Sequence, residues 1–311
     1  MRANAALEMT PSRSRFINVR GLRYHLREWG DAGAGAAHTL VMLHGWMDVS
    51  ASFQFVVDKL DSDWRVVAPD WRGFGLSDRA PGDCYWYPDY LADLEFVLDD
   101  VVGAEPAWLV GHSMGGNVAL MYAGARPERV RAVVNLEGFG LRPTHSEQAP
   151  GRYAQWIDQL KQGGTLRDYS SREEVAARLM KNNPRLSTAR AAFLAQHWSE
   201  PDGGGRFRVA GDPAHRIINP TLYRIDEVLA CWKNVECPVL WVRAAQTDVL
   251  RHVGVDRDAA LREVEIRMTA LRNVESVVVE NAGHMLHHDR PDEVARLIEH
   301  FARRRDGINK P

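Results

Sequence analysis

A serine flanked two residues away on each side by glycine, Gly111-His112-Ser113-Met114-Gly115, follows the apolar run Ala107-Trp108-Leu109-Val110 and precedes a helix-compatible stretch from Asn117 to Arg126. Strand, turn and helix in that order place a serine on a tight turn with its hydroxyl projecting. Side chains two positions before or after it would crowd the backbone there. Such strings also arise by chance, so the strand-turn-helix context selects the chemical reading, a serine nucleophile. Negative charge built on a substrate oxygen would be met by the amide of Met114, which opens the helix and is freely directed at its N-terminus.

A serine hydroxyl is a weak nucleophile near neutral pH and needs a base, which in turn needs an orienting carboxylate. In a nucleophile-elbow arrangement the partners follow in the order Ser, then Asp or Glu, then His, each after a later strand. His284 leaves the apolar run Ser276–Glu280 within Asn281-Ala282-Gly283-His284-Met285 and is the expected base. His287 and His288, further along, are expected to be surface or packing residues. Asp248 follows the run Val239–Val242 and is the expected orienting acid. Glu137, after the run Arg131–Asn135, competes for that role; Asp248 is preferred for its commoner position and residue type. No His/Cys cluster has ligand spacing, and neither GxGxxG nor GxxxxGK[ST] occurs, so no metal and no cofactor are expected.

The elements that must position these residues are short runs apolar on both faces, at 39–43, 65–69, 107–110, 131–135, 239–242 and 276–280, separated by helical patterns. Buried parallel strands read this way. Residues 22–29, LRYHLREW, alternate instead and predict an antiparallel strand with one wet face. Leu91, Leu94, Leu98 and Val101 share one helical face, as do Val294, Leu297, Ile298 and Phe301 behind Pro291. The class predicted is α/β, a mostly parallel, doubly wound sheet. Between Asn135 and Val239 the alternation stops for about a hundred residues, too long for a structureless loop. Ser171 with Glu174 makes a capping box, Ser187 opens a second helix, and Gly203-Gly204-Gly205 marks a break. The domain reading is a loose extension over 1–15, a core over 16–137 and 236–311, and an inserted helical cap over 138–235.

With these residues in place the chain resembles the α/β-hydrolase superfamily from about Phe16 to Arg303. The resemblance runs through His44-Gly45-Trp46, Asp70-Trp71-Arg72-Gly73-Phe74-Gly75-Leu76-Ser77, Gly111-His112-Ser113-Met114-Gly115-Gly116, Asp248 and Ala282-Gly283-His284. His44-Gly45-Trp46-Met47-Asp48 and Asp212-Pro213 look closest to its serine-hydrolase-like branch of capped esterases. The acid loop departs from the pattern, with Ala245 where the family commonly has glycine. The resemblance implies a second oxyanion donor, the amide of Trp46, a structural role for His44, and for Asp70 a structural turn. It implies a hydrolase of carboxylic esters with small to medium, mainly apolar acyl groups, acting through an acyl-enzyme. The alternatives with the same triad are carbon–carbon bond hydrolase, perhydrolase and acyltransferase, or a receptor that binds without turnover. Aspartate-nucleophile chemistry, as in epoxide hydrolases, is excluded by Ser113.

Composition agrees. The 311 residues are 45% hydrophobic and 26% charged, an ordinary globular balance. With 39 basic and 41 acidic residues the formal charge is -2, which offers nothing to grip a polyanion, so nucleic acid is not an expected partner. No apolar run approaches the roughly 20 residues that span a bilayer, and no membrane partner is expected. Three cysteines, Cys84, Cys231 and Cys237, suit packed thiols in a reducing cytoplasm better than a disulfide framework. The cap aromatics Tyr153, Trp156, Phe193, Trp198, Phe207 and Trp232 are expected in the main to pack the cap on the core, the remainder walling an apolar pocket over Ser113.

Overall fold

A computed structural model describes residues 9–30, 38–61 and 63–306. Strands β1 (Ser12–Val19), β2 (Leu22–Trp29), β3 (His38–Leu43), β4 (Trp64–Pro69), β5 (Ala107–His112) and β6 (Val130–Leu136) come first in the chain. Short strands β7 (Asp168–Tyr169), β8 (Ser199–Pro201) and β9 (Phe207–Val209) follow, and then β10 (Val239–Ala244) and β11 (Val274–Val279). The main sheet has eight strands in the order β1-β2-β4-β3-β5-β6-β10-β11. β1 and β2 run antiparallel to their neighbours and the rest are parallel.

Helices cover both faces, which is why the central strands are apolar throughout. On one face lie α2 (Tyr87–Val101), α3 (Met114–Ala125), α7 (Ile225–Lys233) and α8 (Arg257–Met268), meeting the sheet through Leu94, Val118, Trp232 and Val264. On the other lie α1 (Gln54–Val57) and α10 (Pro291–Asp306), with Val56, Val294, Ile298 and Phe301 buried against it. The short α9 (Leu286–Asp289) links β11's exit loop to α10. Between β6 and α7 the chain forms α4 (Ala149–Gln162), α5 (Arg172–Asn182) and α6 (Thr188–Trp198). The hydroxyls of Ser171 and Ser187 accept the amides of Glu174 and Arg190, so both predicted helix starts are capped as their sequences require. A three-stranded sheet, β7-β9-β8, joins these helices around Tyr169, Val175, Leu194 and Val209.

Three expectations change. Ser12–Arg15 belong to β1 rather than to a loose extension, because their backbone pairs with β2 and Arg13 and Arg15 both reach the buried Glu28; residues 1–8 lie outside the described part. The polar face of β2 is wet only at Arg23, since His25 and Arg27 on the same face are buried. His25 is held by Asp70, and Arg27 reaches His197 of the insert. Finally α7, read as cap, packs on the core helix α3 so closely that a side chain at Gly124 would meet the Cys231 carbonyl. Its Trp232 is fully buried, 5.4 Å from Trp241 of β10. Among the described residues no helix is long and apolar enough to cross a membrane, and the three cysteines are free thiols.

Candidate active site

Ser113 stands between β5 and α3 with φ 53° and ψ -113°, a conformation that side chains other than glycine's rarely adopt. The tightness of the turn explains its glycines. A Cβ on Gly111 would lie 2.4 Å from the Gly115 carbonyl oxygen, and one on Gly115 would lie 2.0 Å from that of Leu43. The turn is tied to the next strand, because the Ser113 amide donates to the Leu136 carbonyl at 2.8 Å. Met114 is the first residue of α3, so its amide is one of the helix donors without an intrahelical acceptor.

His284 follows β11 and keeps about a fifth of its side chain accessible. Its Nδ1 lies 3.2 Å from Oε2 of Glu137, the residue directly after β6. Glu137 is buried and has φ 63°, and its Oε1 accepts the Ala244 amide at 2.6 Å. Asp248 is elsewhere: its carboxylate pairs with Arg251 at 2.7 Å and its side chain is 66% exposed. The preference for Asp248 over Glu137 is therefore corrected. β6 and β10 are neighbours in the sheet, so both acids leave strand ends close to the histidine loop. The left-handed backbone at Glu137 turns its side chain toward His284, whereas Asp248 has moved on into a surface turn capped by its own arginine.

His112, the residue before the serine, had no assigned role. It is buried, and its Nε2–H donates to the His284 carbonyl at 2.8 Å, the two rings 4.7 Å apart. Burial holds its imidazole neutral, well below the usual histidine range. The signal available in the sequence was a histidine at the variable position of the serine turn. His287 and His288 are both buried, the packing half of their expectation.

The loop after β3 passes under the serine. A Cβ on Gly45 would lie 3.2 Å from Ser113 Cβ, so Trp46, next in the chain, starts within reach of the same reacting centre. His44 fixes this loop: Nδ1–H donates to the Gly45 carbonyl at 2.8 Å, and Nε2 accepts the Trp71 amide at 3.0 Å. Burial lowers its pKa to about 4, as a neutral structural imidazole requires. Asp70 accepts from His25, the Ser50 amide and the Leu76 amide, which together hold its carboxyl well below the usual range despite its burial. Asp48 closes the loop, its Oδ1 accepting the Val49 amide at 2.9 Å and the indole N–H of Trp198 at 3.2 Å. Burial raises Asp48 to about 6.

The insert touches this loop once more, and the segment after β4 as well. The Arg216 guanidinium lies 5.7 Å from the Trp46 ring centre. His215 is stacked between Phe74 and Tyr85, ring centres 3.8 and 3.5 Å away, with Nε2–H toward the Arg72 carbonyl at 3.2 Å. Of the insert aromatics, Phe193 packs on Phe55 at 5.6 Å, while Tyr153 is half exposed.

A family model described as alpha/beta hydrolase fold matches residues 38–291. A serine hydrolase-like protein of Danio rerio is 32% identical over 228 residues, covering 70% of this chain and 69% of its own. A 2-hydroxymuconate semialdehyde hydrolase of Pseudomonas sp. (strain CF600) is 35% identical over 139 residues, 44% of this chain and 47% of its own. The solved thioesterase domain from the curacin biosynthetic pathway superposes with a TM-score of 0.81 at 25% identity, covering 93% of this chain and 99% of that one.

Proposed function

Because this chain belongs to the alpha/beta hydrolase fold family, we propose that it is a serine hydrolase that cleaves carboxylic esters of neutral, short-to-medium acyl or aromatic groups. One observation carries the reading. The serine turn is bonded to both partner loops, through Ser113 to Leu136 beside Glu137 and through His112 to His284. One backbone hydrogen bond and one from the His112 side chain thus tie the serine turn to the loops that carry Glu137 and His284, which supports reading the three as nucleophile, acid and base.

In this reading Ser113 Oγ attacks the ester carbonyl while His284 Nε2 takes its proton. Glu137 accepts the Nδ1–H, which fixes the tautomer and stabilises the imidazolium that forms. The oxyanion is met by the amides of Met114 and Trp46, each such donor lowering the barrier by about 3–4 kcal/mol. His284 then protonates the departing alkoxide, and a water deprotonated by the same histidine hydrolyses the acyl-enzyme. The relatives' names, a serine hydrolase-like protein and a thioesterase domain, support acyl chemistry.

A panel of p-nitrophenyl esters from acetate to palmitate, with a lactone, an aryl ester and butyrylcholine, tests this. Butyrate or an aryl ester should give the highest kcat/KM, and Ser113→Ala should abolish it. A panel in which none is turned over, or one led by palmitate or butyrylcholine, overturns the reading.

A further inference from the structure

Asp48, His112 and His287 converge beneath the serine turn from three separate segments: the loop after β3, the last residue of β5, and α9. All three are buried, and each offers a ligand atom within 4.8 Å of the others. Three of their polar atoms, Asp48 Oδ2, His112 Nδ1 and His287 Nδ1, make no hydrogen bond among the described residues. Buried polar groups are nearly always satisfied, so two orphans in one cluster, Asp48 Oδ2 and His112 Nδ1, with His287 Nε2 3.9 Å from the carboxylate, point to something that binds them. The sequence gives no ligand motif here because the spacing is set by topology.

The supporting contacts match those of a metal site. His112 donates Nε2–H to the His284 carbonyl, which leaves Nδ1 as its lone-pair atom. Asp48 has Oδ1 fixed by Val49 and Trp198, leaving Oδ2 free to bind, with His287 Nε2 3.9 Å from it. His287 and His112 rings are 4.3 Å apart. Two imidazoles and one carboxylate suit a borderline divalent ion such as Zn2+, Co2+ or Ni2+ rather than Ca2+ or Mg2+. Bonds of about 2.0–2.2 Å place tetrahedral ligands roughly 3.4 Å apart, which small rotamer shifts would reach from the present separations.

We propose that Asp48, His112 and His287 form an inhibitory binding site for one divalent transition-metal ion. The ion would draw His112 Nδ1 toward Asp48, and so move the ring that holds the His284 carbonyl and lies beside Gly45. Binding itself is independent of the ester-hydrolase reading; only its effect on turnover rests on it.

The full chain is titrated with Co2+ and read by visible d–d absorption, and with Zn2+ by calorimetry, in the absence of substrate. One ion per chain is expected, with a Zn2+-dependent rise in Tm. Asp48→Asn and His287→Gln should each weaken binding at least about tenfold, whereas His284→Ala should keep the Co2+ spectrum. Absence of a 1:1 Co2+ complex in the unmodified chain overturns the proposal, as does binding unchanged in both ligand variants or lost with His284; the first criterion needs no variant to fold. Ester turnover in the unmodified chain should fall with Zn2+ and recover with a chelator. Inhibition equally strong in Asp48→Asn and His287→Gln would place the inhibiting ion elsewhere and overturn the inhibitory role.

Discussion

Glu137 holds a backbone amide and an imidazole with one carboxylate: Oε1 accepts the Ala244 amide at 2.6 Å, and Oε2 lies 3.2 Å from His284 Nδ1. The first contact stops the carboxylate from rotating, and the second uses that rigidity to orient an imidazole. Glu137→Gln keeps the shape but can present an N–H to the imidazole and favour the wrong tautomer. It should lower kcat by roughly 10⁴-fold, whereas Asp248→Asn should stay within a few-fold of the unmodified chain. Both are measured on one substrate, and a large loss at Asp248 instead would reverse the assignment.

The oxyanion loop should separate activity from stability at Gly45. A methyl there meets His112 Nδ1 at 3.1 Å and Ser113 Cβ at 3.2 Å, contacts tight enough to displace the loop by tenths of an ångström. Gly45→Ala is expected to lose about 10²–10³-fold in kcat, the loss of one oxyanion donor, with little change in Tm. Gly115→Ala, whose methyl would meet a fixed carbonyl at 2.0 Å, should instead fail in urea denaturation.

Buried neutral histidines make stability depend on acid. His44 and His197 are lowered by burial to about 4, and His215 and His288 to about 3. The unfolded chain binds these protons below about pH 6.5 and the native chain does not. Their stabilisation is therefore complete above pH 6.5 and falls as pH drops toward 4, by about 1.4 kcal/mol per pH unit for each histidine. Asp48, raised to about 6, gives one slope of the opposite sign between about pH 6 and 4. His215→Phe keeps the stack on Phe74 and Tyr85, leaves the Arg72 carbonyl short of a donor, and should remove one histidine's share of the acid slope, as read from urea midpoints between pH 7 and 4.5.

Arg72 and Asp93 form a buried ion pair, joined by the Tyr24 hydroxyl and by Arg20. Asp93→Asn removes the buried one of Arg72's two carboxylate partners and leaves Asp89 at 3.1 Å as its remaining counter-charge. A loss of up to about 3 kcal/mol in unfolding free energy is expected, whereas Asp226→Asn, which breaks the exposed Arg224–Asp226 pair, should leave the urea midpoint unchanged.

The serine turn, the place of His284 at a strand exit and the parallel core were legible because each rests on local signals: glycines required by a turn, strand-length apolar runs, serine caps. The acid was not. Two carboxylates leave adjacent strand ends, and only the backbone handedness at Glu137 decides which one meets His284. Asn135 and Gly138 hydrogen-bond each other across that bend, a contact that strand periodicity does not register. Likewise α7 reads as cap from its place in the chain, yet Gly124 and Trp232 bind it to the core. Asp48, His112 and His287 lie far apart in sequence, so their meeting is visible only in the folded chain.

Glu137 is the last core residue before the insert, and the bend that aims it continues for three residues. Asn135 accepts the Gly138 amide, and Asn117 accepts that of Gly140. Recombination with the insert of another chain would thus have to splice beyond Gly140, since a junction at 138 would carry off the bend that orients the acid. On the return side the splice belongs before Ile225, because α7 is part of the core layer. A graft within those limits would still have to supply what Trp198 gives Asp48 and Arg190 gives the His288 carbonyl, two hydrogen bonds by which the insert braces the loops beside Ser113 and His284.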